Sequence, residues 1–230
     1  MIPGLKAIPA FNGSGSSGSG GGGATLSMSL VGYSSVNSTN VTIPAAAIAG
    51  DWAILFDADE DTGGGAIGSA VPAGWASIAD TFASPGWALR STVSHKILTA
   101  AGGGSVTGIP GGTKILMVFR PSTSLAAATP STWNAEVTAG NPSAQTVSAS
   151  GVTTPLIVFA WASLGNAGDA LPSFSTETPA MTNLTNTGPS GGPECRLGYT
   201  IYNTSPSDQS IDTADGGSIN GLQSGYVRFT

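Results

Sequence analysis

At 230 residues, with 40% hydrophobic and only 9% charged residues, the chain can bury a full core and is excluded from the disordered polyelectrolytes. Its net charge is −6 and its seven basic residues are scattered singly, so no electropositive stripe is available to neutralise phosphates, and nucleic acid is excluded as a partner. One cysteine and one histidine exclude an intramolecular disulfide, a cysteine-cage metal site and a zinc site built on two imidazoles.

Gly, Ser, Thr, Val and Ala dominate while Lys, Glu and Gln are scarce, a composition that predicts strands and turns with little helix. Met1 to Phe11 is apolar but broken by Pro3, Gly4 and Pro9, so Ile2, Leu5, Ile8 and Phe11 form an extended hook. Gly13 to Gly23 is a flexible Gly/Ser linker. Apolar residues on such a tether fit docking onto a neighbouring subunit, by strand addition or groove filling, so residues 1–24 read as an anchoring arm. This N-terminus lacks the charged-then-apolar layout of a secretory signal, and no later run approaches the ~20 apolar residues of a membrane span. The expectation is synthesis in a cytoplasm without membrane insertion.

Strands begin at Thr25, with Leu26, Met28 and Leu30 alternating with Ser27 and Ser29. Thr42-Ile43-Pro44 closes a second strand, and Ala45 to Ile48 has room for one helical turn. Asp51 to Ala58 then forms a short apolar run rich in β-formers, read as a central strand. A Gly-rich acidic loop and a Pro72-Ala73-Gly74-Trp75 turn lead to Leu89 to Leu98, whose two faces are both mixed. Lys114 to Arg120 is continuously apolar inside, as for a strand covered on both sides.

The same events recur downstream. Trp133 to Val137 and Val147 precede the run Pro155 to Ser163, which is followed by Arg196 to Tyr202 and Tyr226 to Phe229. Ile54 to Ile97 spans 43 positions and Ile157 to Ile201 spans 44. This echo suggests duplication within one β-sandwich domain, residues 25–230, with halves at 25–120 and 131–230 joined by the Ser, Ala and Pro-rich bridge Pro121 to Ser131. Hairpin spacing in any β-rich sandwich produces some self-similarity too.

Chemistry-bearing residues are few. His95 has no local nucleophile or orienting acid. Gly188-Pro189-Ser190-Gly191-Gly192 matches the G-x-S-x-G pattern but sits inside a loop, not between a strand and a helix. Cys195 beside Arg196 reads as a half-buried structural thiol at a strand start. Asp57, Asp59 and Asp61, just past a strand end, have the spacing that opens a calcium loop; Thr62 and Gly68 break the pattern, so a solvated acidic loop is the first reading and a bound calcium the second. Trp52 and Trp161 belong to the core, whereas Trp75 and Trp87 lie in Gly/Pro-rich turns and are the aromatics able to face a sugar.

The combination of Gly50-Asp51-Trp52-Ala53-Ile54-Leu55-Phe56, Pro72-Ala73-Gly74-Trp75, the strand ending His95-Lys96-Ile97-Leu98, and Lys114 to Arg120 with Pro121 resembles structural proteins of tailed bacteriophages. The resemblance covers residues 25–121 directly and the rest through the echo. It implies an all-β, two-sheet antiparallel sandwich of jelly-roll type, in a non-enzymatic virion component that is a tail appendage or fibre protein. Other virion proteins and further copies of the chain would be its partners. Two alternatives stand beside it: a carbohydrate-binding module recognising a host surface glycan, and a capsid decoration protein of the same fold. The family supplies no catalytic residue.

Overall fold

The computed structural model describes residues 25–61, 71–83, 88–137, 142–163, 174, 180–186, 194–211 and 220–230, and the elements these residues form are β-strands, apart from one 3₁₀ residue at Phe174. The anchor residues Ile2, Leu5, Ile8 and Phe11, the G-x-S-x-G segment and Trp87 lie outside the described residues. The first part of the chain forms β1 (Met28–Asn37), β2 (Val41–Thr42), β3 (Trp52–Asp61), β4 (Ala76–Ala83), β5 (Ala88–Ile97), β6 (Ser105–Val106) and β7 (Thr113–Pro121). The second forms β8 (Ala128–Pro130), β9 (Asn134–Val137), β10 (Gln145–Val147), β11 (Leu156–Ser163), β12 (Thr182–Asn186), β13 (Cys195–Tyr202), β14 (Gln209–Ile211) and β15 (Gly221–Phe229). Ala45 to Ile48 is a turn, closed by the Ala47 amide on the Pro44 carbonyl, and not a helix.

One sheet has the order β1-β7-β3-β5-β4, and the other β12-β13-β11-β15-β8 with β9 also on β15. Two antiparallel ribbons, β2-β6 and β10-β14, stand apart. The two parts of the chain therefore repeat one wiring, with β1 matched by β8 plus β9, and β2 to β7 matched in turn by β10 to β15. Register makes the match residue by residue: Trp52 opposes Ile97 and Phe119, as Ile157 opposes Ile201 and Val227. Trp52, not Ile54, is thus the partner of Ile157, a shift of two that keeps the same face inward because side chains alternate with period two. The repeat also starts earlier than its sequence pattern, because Ala128–Pro130 in the bridge pairs with β15.

The inner faces of the two sheets pack on each other, with Trp52, Ile54, Phe56, Met117 and Phe119 meeting Phe159, Trp161, Leu197, Val227 and Phe229. Each outer face is covered by its own ribbon and loops. Val41, Ala47, Val106 and Ile109 lie over Ala53, Leu55, Leu116 and Val118, while Val147, Ala149, Ile211 and Phe174 lie over Leu156, Val158, Ala160 and Leu222. β3 and β11 are buried on both faces, which is why both read as unbroken apolar runs. The sheets share their poles. At one pole Met28 N–H donates to Asn203 Oδ1 (2.7 Å), and the Asn203 amide donates back to Met28 O (3.2 Å).

Among the core positions at which the repeat exchanges volume is a pair on β1 and β7. Met117 fills the core opposite Tyr33, which is 50% exposed; the matching pair is Gly225 and Trp133, with Trp133 turned inward to stack on Phe159 at 6.1 Å. A Cβ on Gly225 would collide with the Trp133 ring. Gly225→Ala should therefore lower unfolding stability by about 1–3 kcal/mol in a denaturant titration, as overpacking does; an unchanged midpoint would mean that the ring moves freely.

Candidate functional site

The acidic segment was expected past the end of a strand, but β3 continues to Asp61, paired residue for residue with β5 as far as Ala88. Strand alternation puts Asp57 and Asp59 on the outer face, on which Asp57 is 1% exposed. Lys114, directly across on β7 and fully buried, places Nζ 2.8 Å from Asp57 Oδ1 and donates to the Pro110 carbonyl at 2.6 Å. The ion pair is short but poorly directed, so neither Asp57 oxygen is well hydrogen-bonded. Burial raises the Asp57 carboxyl to about 7, against the opposing pull of the Lys114 ammonium. A cation would have to displace that ammonium. Among the described residues no three His, Cys, Asp or Glu side chains come together as a metal-holding group, and the Asp61 side chain lies outside them.

The mixed face of β5 has a physical cause. Ser91 and His95 point into the inter-sheet core, where Trp161 Nε1–H donates to Ser91 Oγ (2.8 Å) and Trp52 Nε1–H donates to His95 Nδ1 (3.0 Å). Gln223 Nε2 from the opposite sheet donates to Thr81 Oγ1 (2.6 Å) and to Ser91 O (2.8 Å). The indole bond requires a neutral imidazole at His95, and burial lowers its pKa below 6.5. No hydroxyl or thiol nucleophile stands beside its second nitrogen in any described contact, so the arrangement orients side chains and does not assemble a catalytic triad.

Cys195 opens β13 as expected but is completely buried, and desolvation pushes its thiol well above 9, which makes it inert. Trp75 is half-buried against the cluster under the β2-β6 ribbon and is not an open platform. Asp51, 1% exposed, takes a two-pronged bond from Arg120, with Nε to Oδ1 and a terminal nitrogen to Oδ2, both at 2.9 Å. It also accepts the Ile48 amide (2.9 Å), which fixes the turn entering β3.

The open concavity of the second half was not signalled by the sequence. It is a groove between β9, β10 and β15, in two sections of about 290 Å³ and 490 Å³ that share Asn134 and Thr146. Asn134 Nδ2 donates to the Thr146 carbonyl (3.0 Å) at the saddle between them. Its residues lie in two short strands and their flanks, with no spacing pattern that would mark them. Against family models, curated protein sequences and solved structures the chain finds no match.

Two outcomes follow from the buried pairs. Asp57→Ala alone should cost about 3–5 kcal/mol by stranding a buried ammonium, whereas Asp57→Ala with Lys114→Leu, the Ala162–Leu222 pair of the matching half, should be neutral or stabilising in equilibrium unfolding. For pH, the raised Asp57 contributes stability that is full below 3.8 and lost as pH rises through about 7. The lowered His95 contributes stability that is full above 6.5 and lost as pH falls through its folded pKa. Unfolding followed from pH 4 to 8 in the wild type, Asp57→Asn and His95→Gln should separate the two slopes.

Proposed function

We propose that the chain is a non-enzymatic structural component of a tailed-bacteriophage particle, a tail appendage or fibre protein whose body is a two-sheet β-sandwich of jelly-roll type, anchored through residues 1–24. The observation that carries this reading is the polarity of the body. The described chain enters at Thr25, beside Ser122, whose amide donates to Ser27 O (2.9 Å), and Thr230 ends the chain nearby on Ala126 and Ala127. The strand ends Asp61, Ala83, Ala88, Ser163, Asn186, Cys195 and Gly221 gather at the opposite pole, whereas β4 begins with Ala76 opposite His95, toward the entry pole. An anchor entering at one pole and a set of strand ends at the other suit a body displayed on a larger assembly, with the far loops carrying contact variation.

The buried chemistry supports the same reading. Asp51 with Arg120, Asp57 with Lys114, and the two indole bonds all tie strands or sheets together. A fold held this way needs no disulfide, which matters for a part exposed outside a cell. Other virion proteins and further copies of this chain are the proposed partners. Among the described residues no helix is long and apolar enough to cross a membrane.

Removing residues 1–24 should leave the β-structure and its melting transition intact by circular dichroism while abolishing incorporation into particles. A truncated chain that assembles at the full-length level would overturn the anchor.

A further inference from the structure

The repeat within the chain supplies an internal control for each matched position, and the outer surface over β1 and β9 is one place where the halves part ways. On β1 and β9 the register matches Val31 with Ser131, Gly32 with Thr132, Ser34 with Asn134, and Val36 with Glu136. In the first half this surface is sealed. Val31 and Val36 pack with Ile43 onto the cluster under the β2-β6 ribbon, and Gly32 lets Pro44 close over β1, where a Cβ would already stand 3.4 Å from the proline ring.

In the second half the same surface is open and polar. Ser131, Thr132 and Glu136 stand where the first half has Val31, Gly32 and Val36, and the space becomes the two-section groove along β10. The wall is held in place. Ser224 Oγ bonds Gln145 Oε1 at 2.6 Å, and Gln145 Nε2 donates to Leu222 O at 3.3 Å, so β10 is latched to β15 by a buried amide. A structural role alone gives no reason to keep this concavity unfilled when its counterpart is packed shut.

We infer that this groove is a binding site for a neutral glycan, with Asn134, Thr146 and Tyr226 as its central contacts. The chemistry of the lining selects that class. Hydroxyls and amides from Ser131, Thr132, Asn134, Thr146 and Ser148 offer neutral donors and acceptors, and Tyr226, half-buried against the outer cluster of the second half, adds an aromatic residue to the lining. Among the described residues no lysine or arginine lines either section, and Glu136 brings a carboxylate, bonded to the Ser143 amide at 3.1 Å. Phosphorylated, sulfated and sialylated ligands are therefore disfavoured by charge. The site is distinct from Trp75 and does not depend on the anchoring role.

The test uses the full chain titrated with neutral gluco-, galacto- and manno-configured trisaccharides, both free and immobilised, followed by NMR and by pull-down. At least one should bind, with sialylated counterparts weaker. Thr146→Trp, which plugs the groove from an exposed strand position, and Ser131→Val with Glu136→Val, which copies the sealed half, should each weaken binding by about tenfold or more. Circular dichroism and melting should stay as in the wild type for at least one of the two variants. Binding should survive deletion of residues 1–24, so the groove and the anchor are judged separately. No binding by any neutral trisaccharide at several millimolar, or binding that neither folded variant reduces, would overturn the assignment.

Discussion

The structure depends on aromatic packing between the two large sheets. Trp52 meets Phe229 edge-on at 5.0 Å, and Phe56 lies 5.4 Å from Trp161 and 5.5 Å from Phe159, so rings from both halves of the chain alternate through one layer. Each such side chain contributes about 1.5–3 kcal/mol by leaving water, and tilted or edge-on ring pairs add to that. Neither sheet could stay soluble with this face exposed. The halves therefore stabilise each other, and the outer ribbons complete the burial of β3 and β11 on their far sides.

Buried polarity is placed where it fixes geometry. The indoles of Trp52 and Trp161 carry N–H groups into the core, and His95 and Ser91 meet them, one bond joining strands within a sheet and the other crossing between sheets. Gln223 adds a second crossing. These contacts resist sliding of one sheet over the other, which apolar contacts alone would tolerate, because a shift would leave buried donors without acceptors. Asp57 and Lys114 act differently. Their pair stands where the matching half has Ala162 and Leu222, and the Lys114 ammonium holds the Pro110 carbonyl, so the polar version ties down a loop at the cost of desolvating two charges.

The repeat also shows how one wiring supports two surfaces. The first half closes its outer face with Val31, Val36, Ile43 and Pro44; the second ties its ribbon to β15 through Gln145 and leaves a polar groove beside it. The inner faces changed together, as Tyr33 with Met117 against Trp133 with Gly225 illustrates. A core must conserve volume between contacting partners, whereas an outer surface is free to open.

Periodicity and turn chemistry in the sequence determined the class of fold, the central strands at Ile54 and Ile157, the burial of Trp52 and Trp161, and the recurrence of one strand order along the chain. These are local properties, set by side-chain alternation and by residues that break it. Other features needed the tertiary structure. The extension of β3 through Asp61 depended on its pairing with β5, the polar face of β5 made sense only beneath two indoles from elsewhere, and β8 emerged from a Pro-containing bridge because β15 had an open edge beside it. The groove, likewise, joins residues near 134, 146 and 226 that no spacing rule connects, since strands distant in sequence become neighbours only when a sheet forms.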